Sequence, residues 1–243
     1  MLGKCLSAEW MKLRRSRIWP VLWTLPAVSV LIGTFNFSVN QGVLKHEWYS
    51  LWSQAGLFYG QFFLPVLIAI LCAHLCRLEH LNKNWRLLMT APVSAAGLFW
   101  AKWIVAGTLL AFVQMLFAVL YVLAGKWAGL SSGLPPELAG WLIRGWIAAL
   151  SVAALQLALS VRIRSFAAPV GIGLCAVFAG LGLYVARLGM FFPHSLLTIG
   201  MGVLSRTALS GSDLALFAAM NASYVLGFAA VAVRLVRQSG ESA

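Results

Sequence analysis

The chain has 243 residues, 61% of them hydrophobic and only 10% charged, with a formal net charge of +12 and a mean hydropathy of +0.88. A soluble domain is about 25% charged, and one this poor in charge exposes apolar patches to water and aggregates, so the composition speaks against a water-soluble fold. The excess of 18 Lys and Arg over 6 Asp and Glu sits in short stretches between long apolar runs, which is how a membrane protein sets its orientation and not how a nucleic-acid surface is built.

Met1 to Pro20 carries the basic residues Lys4, Lys12, Arg14, Arg15 and Arg17, and the apolar run after it is long enough to span. It therefore reads as a signal anchor and not a cleaved leader. Within it, Glu9 to Arg17 reads as an amphipathic interfacial helix. Trp10, Leu13 and Arg17 recur at helical spacing, with Lys12, Arg14 and Arg15 beside them for lipid phosphates. The same residues also fit a plain basic flank that only fixes topology.

A spanning helix needs about 20 mostly apolar residues. The first such run is 19–37. Asn36 to Gln54 is polar and aromatic and reads as an outer loop, with Trp48, Tyr49 and Trp52 resting at the membrane interface. The second span is 55–76, interrupted by Pro65, a kink that neighbouring helices tolerate. The third span is 98–124. A short loop with Gly129, Gly133, Pro135 and Pro136 then leads to a fourth at 138–161 and a fifth at 166–186.

Arg187 to Asp213 is apolar in pieces but too short and too broken to cross twice, with Pro193, Gly200, Gly202 and Gly211 as punctuation. It reads as a re-entrant or interfacial stretch, with an ordinary loop as the other reading. The last span is 214–233, its start capped by Ser212 or Asp213.

The fold expected is an all-α membrane protein of about six transmembrane helices, with the whole chain, 1–243, as one domain. If the N-terminus is cytoplasmic, the inner segments hold most of the Lys and Arg, and only Lys45, Lys126, Arg187 and Arg206 fall outside. That bias of about threefold puts both termini in the cytoplasm.

The chemistry that is missing narrows the function. No Gly-x-x-x-x-Gly-Lys-Ser/Thr phosphate loop is present, and Asp213 is the only aspartate. His46-Glu47 lacks the second histidine of a zinc protease, and Ser210-Gly211 lacks the setting of a serine protease. Cys72, His74, Cys76 and His80 repeat at near-helical spacing, but small cysteines packing near a helix end explain them better than a metal site does. Cys5 and Cys175 complete the cysteines, and no disulfide framework is expected. No acid sits in the middle of a span, which disfavours ion coupling. The chain is therefore expected to be no enzyme and to bind no metal or cofactor itself. It is a mover driven from outside, or a passive interaction protein.

One inner segment points to a partner. Over 78–89, Leu78, Leu81, Trp85 and Leu88 recur every three or four residues, while Glu79, Asn82, Lys83 and Arg86 fall off that stripe. This is a short amphipathic helix ended before Pro92. It fits docking into a partner's groove and equally an elbow lying on lipid.

Three passages carry a resemblance: Ala8-Glu9-Trp10-Met11-Lys12-Leu13-Arg14-Arg15-Ser16, then Glu79-x-x-x-Asn-x-Trp-Arg-Leu-Leu-x-x-x-Pro92, then Trp100-Ala101-Lys102. Together they resemble the permease subunit of a type-2 ABC exporter, and within that group the lantibiotic-immunity permeases. Many type-2 permeases have a glycine after the loop glutamate; 77–91 has none, and Asn84 and Trp85 stand there as in the narrower family.

The resemblance implies six helices forming half of a dimeric pore, with a second permease copy or a similar permease chain. It implies a coupling helix at 78–89 that meets a separate ABC-type ATPase through Glu79, Lys83, Asn84, Trp85, Arg86 and Leu88. ATP and Mg would belong to that partner. The cargo implied is an amphipathic antimicrobial peptide, exported across a bacterial cytoplasmic membrane as immunity to a lantibiotic or other bacteriocin. A non-transporting anchor for a cytoplasmic partner, and export of a lipid, drug or polysaccharide, are the other readings.

Overall fold

A computed structural model describes residues 2–14, 16–81, 93–204 and 209–241, with side chains described to residue 238. Every regular element among them is helical. Helix α1 is Leu2–Arg14, α2 Trp19–Val39, α3 Glu47–Gly56 and α4 Leu64–His80, the last two joined by a π-helical stretch, Leu57–Phe63. Then come α5 Ala95–Trp127, α6 Leu138–Arg162, α7 Ala167–Val185, α8 Pro193–Gly200 and α9 Gly211–Glu241. Six helical runs among the described residues are long and apolar enough to cross a membrane, the number expected from the hydropathy.

Local sequence explains several helix starts. Pro20 and Pro193 stand in the first turns of α2 and α8, where a missing N–H costs nothing. Ser94 begins α5 by accepting a hydrogen bond from Gly97 N at 3.0 Å. The cap of α9 falls to Ser210, and not to Ser212 or Asp213. Its hydroxyl accepts from Asp213 N at 3.2 Å, the N-cap bond, and donates to the Asp213 carboxylate at 2.6 Å.

The second span departs most from expectation. Helix starts at Glu47 and runs without a break to His80. Pro65 removes one i→i−4 bond, and the wider π turns just before it absorb that loss, so the helix continues. Trp48 and Trp52, expected at an interface, are buried against α5 and α6. Trp48 meets Tyr121 edge-on at 5.5 Å, and Trp52 stacks on Trp141 at 4.9 Å. The physical reason is that Trp48, Trp52 and Ala55 lie one helical turn apart, so a helix through them presents one apolar stripe to its neighbours.

The core lies between α4, α5 and α6, where Leu64, Leu67, Ile68 and Leu71 meet Val105, Leu109, Val152 and Leu157. Polar groups inside it are mostly matched. Tyr59 donates to Gln114 Oε1 at 2.8 Å, and Gln114 Nε2 donates to Leu142 O at 3.2 Å. The π turns aim Gln61 at two elements: it donates to Val177 O at 3.3 Å on α7 and accepts from Thr198 on α8. The segment before the last span thus folds back as α8, with His194 to Thr198 buried against α6 and α7. At the far end of α3, Tyr49 donates to Glu137 at 2.7 Å, and this bond holds the Glu137 carboxyl below its ordinary pKa.

Gly33 is where α2 crosses α3. A Cβ there would lie 2.3 Å from Ala55 Cα, and small residues are what let membrane helices approach this closely. Gly33→Ala is expected to lower stability by about 1–3 kcal/mol. Gly42→Ala, with nothing within 4 Å of its new methyl, is expected to change it by less than about 0.5 kcal/mol. Thermal unfolding in detergent checks both, and equal effects would remove the crossing argument.

Candidate functional site

Helix α1 is amphipathic in an unexpected register. Cys5, Glu9 and Leu13, each four residues apart, form its buried stripe. Trp10 and Leu13 therefore part company: Trp10 is 39% exposed and Leu13 1%. Arg17 is exposed beyond the end of α1, while Arg14 closes its last turn and Arg15 lies outside the described residues. The expected common face of Trp10, Leu13 and Arg17 is corrected accordingly. Leu13 faces protein because α1 lies on α5 and not free on a membrane surface.

The stripe brings a carboxylate into the interior. Glu9, Glu79 and Lys102 are each only 2% exposed. Lys102 Nζ lies 3.0 Å from Glu9 Oε1, 2.8 Å from Glu79 Oε1 and 2.7 Å from Leu75 O. An ammonium has three protons, and these are its three acceptors. Lys12, at the edge of the cluster, places its Nζ 2.7 Å from Glu9 Oε1 and 2.6 Å from Glu79 Oε1. Two acids and two ammonium groups thus form a neutral, mutually paired set. In the low-dielectric interior only such a set persists with its charges. The Oε2 atoms of Glu9 and Glu79 have no hydrogen-bond partner, so the cluster rests on the two lysines alone.

Its position gives the cluster meaning. Glu79 is one residue from the end of α4, and Lys102 lies in the second turn of α5. These two helices enter and leave residues 82–92. Glu9 and Lys12 tie α1 to both. Nearby, Ser16 Oγ and His74 Nε2 are 2.6 Å apart and Trp19 Nε1 donates to Leu13 O at 3.2 Å, so the turn between α1 and α2 is fastened to the same corner. A force on residues 82–92 therefore meets three elements held as one.

Glu79 was expected off the apolar stripe, facing a partner. The structure corrects this: residues 78–80 complete α4, Leu78 and Leu81 are exposed, and Glu79 is turned inward. A short apolar period cannot reveal that a buried ammonium waits on another helix. Lys83, Asn84, Trp85, Arg86 and Leu88 lie outside the described residues. Glu9 and Lys102 have no conspicuous local signal, though the four-residue spacing of Cys5, Glu9 and Leu13 points to a carboxylate on a packed face. The cysteine and histidine series is dispersed. Cys72 Sγ donates to Ala153 O, His74 meets Ser16, and His80 Nε2 lies 2.6 Å from Ser160 O. Among the described residues no group of three side chains is placed to hold a metal ion.

The family model of the ABC-2 family transporter proteins matches residues 5–180. The chain belongs to the ABC-2 family. No curated protein matches the sequence. The matched region of this ABC-2 protein runs from α1 into α7. It includes all four charges and residues 82–92; α8 and α9 lie beyond it. ABC-2 proteins are multi-pass membrane permease subunits of ABC exporters, and they generally work with an ABC ATPase on a separate chain.

Proposed function

We propose that this chain is the permease of an ATP-driven exporter in a bacterial cytoplasmic membrane, with both termini cytoplasmic and a second permease copy across the pore. Its cargo is an amphipathic antimicrobial peptide of the lantibiotic kind. ATP and Mg are held by the partner ATPase. The observation that carries the coupling role is the Glu9–Lys12–Glu79–Lys102 cluster. It locks α1, α4 and α5 together beside residues 82–92. The peptide class follows from the resemblance of residues 8–16 and 79–92 to lantibiotic-immunity permeases.

Closure of two ATPase subunits pushes on the segment around Lys83 to Leu88. Helices are stiff along their axes, so the push tilts α4 and α5 as levers and carries α1 with them, changing access to the path between protomers. Trp85 and Leu88 fill the partner's groove, while Asn84, Lys83 and Arg86 meet its rim. A buried aromatic anchor carries more of such a contact than rim charges do.

Co-expression with ABC ATPases of the same genome, extraction in mild detergent and a peptide challenge test this reading. The expected result is a stable complex, and cells that survive a cationic peptide which kills those lacking the permease. Trp85→Ala is expected to weaken ATPase binding about tenfold with normal membrane insertion. A chain that never binds an ATPase is an anchor instead. A complex that protects against no peptide in a broad panel exports something else.

A further inference from the structure

At the end of the bundle that carries Glu79, a second basic corner takes no part in the four-charge cluster. It is a cleft between α4, α6 and α7, lined by Arg77, His80, Ser160, Arg164, Ser165 and Phe166 among others. Among the described residues no carboxylate lies within ion-pair distance of Arg77 or Arg164; every ion pair found belongs to the other cluster. Arg77 is held over the Phe166 ring at 5.7 Å, which fixes its guanidinium beside the cleft. His80 Nε2 is 2.6 Å from Ser160 O, fastening α4 to α6 at the cleft wall.

We propose that this cleft is a phosphate site that takes the phosphodiester of an anionic phospholipid. The cleft holds only about 10 Å³, so the phosphate rests at its mouth, where planar guanidinium groups match phosphate oxygens. The first turn of α7 begins beside Ser165, whose Oγ accepts from Ala168 N at 3.3 Å, and a helix start adds favourable potential for an anion. Phe166 is exposed beside the cations, and Ile163 and Pro169 add to the apolar lining. A lipid covers such apolar flanks with its acyl chains; a free phosphate ion leaves them bare. The site is independent of the proposed ATPase and cargo.

The test uses the full chain in zwitterionic detergent. It is titrated separately with phosphatidylglycerol, phosphatidylcholine and inorganic phosphate, with bound lipid read by native mass spectrometry and stability by the unfolding midpoint. Phosphatidylglycerol is expected to bind and stabilise, and phosphatidylcholine to do so far less. Arg77→Gln and Arg164→Gln, both at exposed positions, are each expected to weaken phosphatidylglycerol about fivefold. Arg162→Gln, exposed and outside the cleft lining, should leave it unchanged.

Saturation by inorganic phosphate with the same variant pattern would keep the phosphate site and assign its occupant to solution. Equal binding of both lipids would overturn the proposal. So would an Arg162→Gln effect as large as that of Arg77→Gln, since it would reveal only diffuse positive charge.

Discussion

Lys102→Met is expected to lower stability by about 3–5 kcal/mol, the usual cost of removing one partner from a buried charge network. Lys102 answers Glu9 Oε1, Glu79 Oε1 and Leu75 O at once. Without it, two buried carboxylates share Lys12 alone, and that side chain is 28% exposed. The carboxylates already have Oε2 atoms without partners, so no spare contact takes up the loss. The unfolding midpoint in detergent should fall by on the order of 10 °C for a chain of this size. Lys12→Ala, at the solvent edge, should cost only about 1 kcal/mol.

The neutral quadruple variant, Glu9→Gln and Glu79→Gln with Lys12→Met and Lys102→Met, separates stability from coupling. Replacing a whole buried ionic set is often close to neutral, so most of the midpoint should return. ATPase stimulation in the complex should stay low, because the ionic tie of α1 to α4 and α5 is gone. An unchanged midpoint in Lys102→Met would mean that the cluster is hydrated and not a tie. Full coupling in the quadruple variant would remove it from the drive.

Trp52→Ala is expected to cost about 3–5 kcal/mol as well, through the cavity it leaves. Trp52 is buried, stacks on Trp141 at 4.9 Å, and meets Tyr121 and Phe117 edge-on at 5.2 and 5.7 Å. It thereby joins α3 to α5 and α6. Its Nε1 also donates to Met201 O at 3.0 Å, holding the residues that follow α8. Trp52→Phe keeps most of the volume and drops that bond, so about 1 kcal/mol is expected.

The Trp52 substitutions differ in a second readout. Hydrogen exchange around Met201 and Gly202 should rise in both, since both release Met201 O, whereas the midpoint should fall far more in Trp52→Ala. Unchanged exchange in both variants would show that the segment after α8 is held by other contacts. The bond from Gly202 N to Ile199 O at 3.1 Å is one such contact.

Much of this protein is legible in its order of residues. Apolar runs of spanning length fix the number of crossing helices, because hydrocarbon demands a closed backbone and apolar side chains whatever else is nearby. The lack of a Gly-x-x-x-x-Gly-Lys-Ser/Thr phosphate loop is equally local and is read directly from the residues. The segment around Glu79 could be marked as special from its Trp, Asn and basic residues, but not which way Glu79 faces.

What only the tertiary structure decided is the inward face of each element. Trp48 and Trp52 read as interface residues because polar neighbours interrupt them; packing against Tyr121 and Trp141 made them core. Glu9 and Lys102 stand 93 positions apart, and no local period connects them. Hydropathy adds up residue by residue along the chain, so sequence alone supports the spans. The pairing of charges depends on which helices become neighbours, and that is set by the packing of the whole bundle.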